Sequence, residues 1–250
     1  MPRRLLPLLA LVLLLAACSS SSPKVASPTS TMAGPAGTSN AAPPTTVAAA
    51  PLYTVATARV PSVEVFDEPG ASEAARAVEN PHPRYLTPRV FLVREDRGDW
   101  LNVLLPMRPN GTTGWIRKAD VTLEQHDYRI EIELAGHRLT VHRGHELLFD
   151  EPVGVGTGNT PTPGGLFYTT ELLIPDGQPE YGAYAYGLSG FSEVWFSFGN
   201  GGDGQFGIHG TNQPELVGSD VSNGCIRMTN EAITKLAETL PIGVPVEIKA

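Results

Sequence analysis

From residue 52 onward, turn residues cut the chain into short segments, and only one stretch repeats apolar residues at helical spacing. Val63-Glu64-Val65-Phe66 alternates and stops at Asp67-Glu68-Pro69-Gly70. Arg89–Val93 and Trp100–Leu104 follow, and a turn at Arg108-Pro109-Asn110-Gly111 leads into Gly114-Trp115-Ile116. Alternation puts every second side chain on one sheet face, while Pro, Gly, Asn and Asp supply the turns. Several short strands within residues 52–123 therefore predict a small β-barrel. Trp100 and Trp115 read as barrel-core aromatics more readily than as the walls of a ligand groove.

Strict alternation returns in Arg129-Ile130-Glu131-Ile132-Glu133-Leu134, breaks at Ala135-Gly136 and resumes in Leu139-Thr140-Val141. Leu147–Phe149 and Pro152–Val155 read as further strands. The one helix is expected after Asn230, which is placed to cap it. Glu231 falls in its electropositive first turn, and Ala232, Ile233, Leu236, Ala237 and Leu240 share a face. Pro241 and Gly243 end it, and Val244–Ile248 forms a closing strand. The expected fold class is mainly β, a small barrel followed by a β-rich sandwich with one substantial α-helix.

The N-terminus reads as an export signal over residues 1–17. Arg3 and Arg4 precede an apolar core from Leu5 to Leu15, too short to span a bilayer, and Leu15-Ala16-Ala17-Cys18 closes it. That closing tetrapeptide resembles a bacterial lipobox, which implies lipidation of Cys18, a membrane anchor and an extracytoplasmic location facing the cell wall. Residues 18–51 are rich in Ser, Thr, Ala, Pro and Gly and hold too few large apolar side chains to fold, so they read as a tether.

Cleavage after Ala17 removes Arg3 and Arg4 from 18 basic residues and leaves 26 acidic ones, taking the formal charge from −8 to −10. An acidic chain without a basic stripe is a poor nucleic-acid binder. The chain has two cysteines, and lipidation of Cys18 leaves Cys225 without an intramolecular partner. A lone thiol in an exported protein is usually kept for its reactivity.

Cys225 lies in Ser222-Asn223-Gly224-Cys225-Ile226-Arg227, sixteen positions after His209 in His209-Gly210-Thr211. A thiol becomes a nucleophile when a base removes its proton and backbone N–H groups receive the oxyanion. His209 is the candidate base, the Gly210 carbonyl the candidate acceptor that orients it, and the N–H groups of Gly224 and Cys225 the candidate oxyanion donors. Tyr181, Tyr184, Tyr186, Phe191 and Trp195 precede the histidine, with core packing the favoured reading for most of them. His137, His142 and His145 match no usual zinc spacing, and Gly154, Gly156 and Gly158 lack the Lys-Ser/Thr of a phosphate loop, so neither a metal nor another cofactor is expected.

At these motifs the chain resembles the L,D-transpeptidases of the YkuD family, whose signature is His-Gly-Thr followed by Ser-His-Gly-Cys-Ile-Arg-Met. The matching residues are His209-Gly210-Thr211 and Ser222–Met228, together with Gly156-Thr157 and Thr162-Pro163-Gly164-Gly165. The resemblance covers residues 127–249. Ahead of it, Gly98–Val103 and Gly114–Ile116 resemble bacterial SH3-like domains, placing such a domain at 52–123. Asn223 departs from the signature, standing where a second histidine is usual.

The resemblance implies acyl transfer on peptidoglycan stem peptides, with Cys225 as nucleophile and His209 as base and then acid. Thr211, Ser222, Asn223 and Arg227 fall at substrate-pocket positions, and inhibition by carbapenem-type compounds follows from the same family. It leaves open whether the acyl group passes to a stem amine, to water or to a D-amino acid. A non-enzymatic wall-binding lipoprotein is the reading of another class.

Overall fold

The computed structural model describes residues 49–197 and 202–250; the leader and nearly all of the tether lie outside the described residues. Its strands are β1 (Tyr53–Ala58), β2 (Ser62–Val65), β3 (Arg76–Glu79), β4 (Val90–Arg97), β5 (Trp100–Leu104), β6 (Thr113–Arg117) and β7 (Val121–His126), then β8 (Tyr128–Glu133), β9 (Arg138–Arg143), β10 (Glu146–Pro152), β11 (Val155–Gly156) and β12 (Gly165–Leu173). They continue as β13 (Ala185–Phe191), β14 (Gln205–His209), β15 (Asp220–Ser222), β16 (Ile226–Arg227) and β17 (Pro245–Lys249), with helix α1 (Asn230–Thr239) before the last.

The first seven strands form an antiparallel sheet in the order β6-β5-β4-β1-β7 and a β2–β3 hairpin, joined to the sheet by the Phe66–Trp115 bridge. Alternation buries one face: Val63, Val65, Phe91, Leu101, Val103 and Ile116 make its core. Trp115 is buried under the Arg97 guanidinium, and Trp100 meets Phe66 edge-on at 5.0 Å between ring centroids.

Eight of the remaining strands build one curled sheet in the order β10-β9-β8-β17-β12-β13-β14-β16, and β11 and β15 pair separately in parallel. Two of its pairings are parallel, β8 with β17 and β14 with β16; each needs a long crossover, and α1 lies in the one from β8 to β17, just before β17. The side chains of Tyr186, Ile208 and Ile226 pack with Ile233 and Leu236 of α1, and the Tyr186 hydroxyl lies within hydrogen-bonding reach of the carbonyls of Leu236 and Leu240. One face of β13–β14–β16 is thereby closed by the helix, which leaves the other free to line a site.

Thr229, rather than Asn230, caps α1: its hydroxyl accepts from the Ala232 N–H at 3.2 Å, and Asn230 is already the first helical residue. Where the two sheets meet, the fully buried Tyr168 of β12 packs against Val55, Val90, Leu92 and Leu104, and its hydroxyl lies within hydrogen-bonding reach of the carbonyls of Val90 and Leu104, at 3.0 and 3.2 Å. Farther along the junction, Arg108 donates to the carbonyls of Ser192, Trp195 and Asp203, and Asn110 exchanges two hydrogen bonds with the Phe191 backbone.

Candidate active site

Strand pairing assembles the site. The parallel register of β14 and β16 sets Ile208 opposite Ile226 and His209 opposite Arg227, so Cys225 lies level with Gly207. Residues two apart on a strand share a face. Cys225 and His209 therefore share the face turned away from α1, with Arg227 beside the histidine. All three line a cleft of about 550 Å³ that also takes in Tyr181, Gly187, Gly207, Ser222 and Asn223.

His209 is 4 % exposed, and its Nδ1 lies 2.5 Å from the Gly210 carbonyl oxygen. A carbonyl only accepts, so Nδ1 carries the proton and Nε2 is left as the basic nitrogen. Burial is the main cause that brings the imidazole down to about 4. The Gly210 bond opposes that shift, and the Arg227 charge adds to it. The ring is neutral at neutral pH, as a base must be. Tyr181 packs against it at 4.8 Å between centroids.

The partly exposed Cys225 thiol is pushed up by burial, against the Gly207 N–H and the Arg227 charge, which both pull it down. The resting pair is thus neutral thiol and neutral imidazole. The Gly207 donor has no signature in the sequence, because only the β14–β16 register brings it to the sulfur.

The loop carrying the thiol is held from within and from below. Gly224 has φ +112°, a conformation that favours glycine. Its N–H donates to the Ser222 hydroxyl at 3.1 Å, and that hydroxyl in turn donates to the Cys225 carbonyl at 2.6 Å. The expectation of a free Gly224 oxyanion donor is corrected by this bond, since the N–H is engaged inside the turn. Ser222 is the brace. Below it, the Thr157 N–H and the Thr160 hydroxyl donate to the Ser222 carbonyl at 3.1 and 3.0 Å, so the threonine-rich segment supports the nucleophile loop.

Asn230 has a different part from the cap expected of it. Its Oδ1 accepts from the N–H groups of Ala183 and Thr211, at 3.1 and 3.2 Å, and so ties the segment after His209 to the one that carries Tyr181. Gly210 and Gly182 leave room for that oxygen: a Cβ on either would collide with it. Thr211 is buried and acts in this turn, its hydroxyl accepting from the Gln213 N–H. Asn223 is exposed at the cleft. Arg227 has a buried Nε with no hydrogen-bond partner among the described residues. Of the aromatics before the histidine, Tyr186 and Phe191 are core, whereas Trp195 is 43 % exposed.

A buried neutral imidazole and a thiol on one face of a curled sheet place this site in the thiol–imidazole class. Residues 127–248 match the YkuD family, the L,D-transpeptidase catalytic domain. Proteins named L,D-transpeptidase YkuD from Bacillus licheniformis and Bacillus subtilis are 36 % and 35 % identical to the chain over 121 residues, 48 % of its length. The match spans 65 % of the length of those relatives. An L,D-transpeptidase from Mycobacterium smegmatis is similar with a TM-score of 0.41 and 16 % identity, over 75 % of this chain and 99 % of that one. The family match covers just under half of this chain.

Proposed function

We propose that the protein is a peptidoglycan L,D-transpeptidase that works through a Cys225 thioester. The carrying observation is the β14–β16 register, which puts Cys225 and His209 on one face of one cleft inside a segment that matches that family. The Nε2 of His209 takes the thiol proton as sulfur attacks the carbonyl of the L-centre of diaminopimelate in a tetrapeptide stem. The tetrahedral intermediate collapses, the carbon–nitrogen bond to the terminal D-alanine breaks, and His209 returns the proton to the leaving amine. A side-chain amine from a neighbouring stem then attacks the thioester, loses its proton to His209 and restores the thiol, giving a 3→3 cross-link.

The unpartnered Nε of Arg227 supports a role in holding a substrate carboxylate. With Gly224 engaged, the Cys225 N–H is the oxyanion donor left from the sequence reading. Lipidation of Cys18 and a membrane-anchored location facing the wall belong to the same proposal, resting on Leu15-Ala16-Ala17-Cys18. The SH3-like assignment of residues 52–123 rests on the tryptophan phrases there.

Incubation of the purified protein with tetrapeptide muropeptides is expected to release D-alanine and yield dimers, and a carbapenem is expected to add its mass to Cys225. Cys225→Ala abolishes all three. Product formed by that variant overturns the mechanism.

A further inference from the structure

The sheet face that carries Cys225 also carries a buried carboxyl. Pairing sets Glu171 of β12 opposite Gly187 of β13, and Gly187 opposite Gly207 of β14, which is level with Cys225. Four residues thus form one row across four adjacent strands, and the middle two have no side chain. At about 4.8 Å between neighbouring strands, the row is roughly 14 Å long from Cα to Cα.

Along this row the glycines make a trough in the cleft floor. The Glu171 carboxyl leans into it, occupying the space that a Cβ on Gly187 would take. The acid group therefore sits above the second strand of the row, two strand steps from the thiol. Glu171 is 3 % exposed and yet forms part of the cleft wall.

What surrounds this carboxyl does not neutralise it. Gln205 Nε2 donates to Oε1 at 3.0 Å, and Thr170 gives a second side-chain bond. Both are neutral donors. Arg89 acts on Glu171 only through its field, and Asp203 opposes it. The desolvation cost outweighs these partners and raises the pKa. A buried carboxyl in a ligand cleft, with no cation in hydrogen-bonding contact among the described residues, favours a ligand that brings one.

We propose that Glu171 and Gln205, at the end of the Gly187–Gly207 trough, bind the side-chain ammonium of the acyl donor whose carbonyl meets Cys225. This deepens the transpeptidase reading and rests on it. The span supports the assignment. Two strand steps are about 10 Å, from which a carbon–sulfur bond and a charge-assisted hydrogen bond of about 2.8 Å are taken at the two ends. What remains is about 5 Å, within the reach of the six-bond chain between the acyl carbon and the side-chain amine of diaminopimelate, which spans it partly folded. Gly187 and Gly207 present no side chain to those methylenes.

The test measures binding, so it does not depend on turnover. Full-length Cys225→Ala protein is titrated calorimetrically with a tetrapeptide stem bearing a free side-chain amine and with the same stem acetylated on that amine. Acetylation is expected to weaken binding at least tenfold. Adding Glu171→Gln is expected to weaken the free-amine stem and bring the two stems within about twofold of each other, the residue having lost its charge but kept its shape. Glu171→Asp, which withdraws the carboxyl by one methylene, supplies the same comparison should Glu171→Gln fail to fold. Equal affinity for both stems in Cys225→Ala overturns the proposal. So does an amine preference that survives Glu171→Gln, or no binding of either stem. A clear amine preference together with no D-alanine release by the Cys225 protein would instead overturn the transpeptidase reading alone.

Discussion

The Nδ1–H of His209 donates to the carbonyl oxygen of Gly210 across 2.5 Å, between residues adjacent in the chain. This fixes the tautomer and leaves Nε2 for the thiol without any carboxylate partner. Because burial holds the imidazole near 4 and pushes the thiol up, the pair rests as two neutral groups. Transfer of the thiol proton to Nε2 needs only unprotonated His209. Acylation of Cys225 by a stem peptide or carbapenem is therefore expected to stay level from about pH 5 to 8 and to fall as pH drops toward about 4. Alkylation by iodoacetamide, which needs free thiolate, is expected to climb past the ordinary thiol range of about 8.5. A plateau in alkylation by pH 7 would show a preformed thiolate–imidazolium pair.

The same burial links His209 to stability. Its folded pKa of about 4 lies below the ordinary 6.5, so the unfolded chain binds the extra proton more readily. The stabilisation from keeping the ring neutral is complete above pH 6.5 and is lost as pH falls from there through about 4. At about 1.4 kcal/mol per unit, this single residue accounts for at most about 3 kcal/mol. His82, likewise held near 4 mainly by burial, adds to the same window. Urea midpoints measured between pH 7 and 4 are expected to fall, and His209→Asn is expected to flatten the decline without removing it.

Asn230 gives a prediction that its helix position alone would not suggest. Removing its side chain leaves the Ala183 and Thr211 N–H groups without their acceptor and loosens the segment that carries the Gly210 carbonyl. Asn230→Ala is expected to cost about 1–3 kcal/mol and to lower the acylation rate about tenfold or more, through a wandering imidazole. Iodoacetamide alkylation at pH 9 should stay near the parent rate, since it bypasses the base. Equal losses in both reactions would mean that Asn230 only supports the fold.

Much of this arrangement is legible in the sequence, and the unread parts share a cause. The strands around Ile130, Leu139 and Val246 alternate because each has one covered face. Gly165–Leu173 shows no such rhythm: Phe167, Tyr168, Thr169, Thr170 and Glu171 are all buried, with β12 packed from both sides, so period two disappears. Ala185–Phe191 hides behind Gly187 and Gly190, which read as loop. In the fold they make room for the Glu171 carboxyl and for the Phe167 and Phe206 rings. His209 and Cys225 stand out because their motifs are local, whereas the Gly207 donor and the Asn230 brace exist only through pairings between distant segments. The cap falls one residue before the expected Asn230 for a simpler reason: Thr229 is an equally good cap, and the bond to Ala232 selects it.

Tyr168 yields the last prediction, which concerns the junction of the two sheets. Its ring fills an apolar pocket made largely by the N-terminal sheet, and its hydroxyl meets two carbonyls there, those of Val90 and Leu104. Neither carbonyl faces the cleft, so the residue serves the seating of one sheet on the other. Tyr168→Phe keeps the ring and removes the hydroxyl from a buried polar site, for an expected cost of about 1–3 kcal/mol. Tyr168→Ala also opens a cavity and should cost about 3–5 kcal/mol. Arg108 and Asn110 hold the same junction at a second place, next to Phe191 and Asp203 of the cleft side. Loss of Tyr168 alone should therefore lower the thermal midpoint while the Cys225 alkylation rate of the still-folded protein stays unchanged. Faster alkylation in Tyr168→Phe would mean instead that the junction controls access to the thiol.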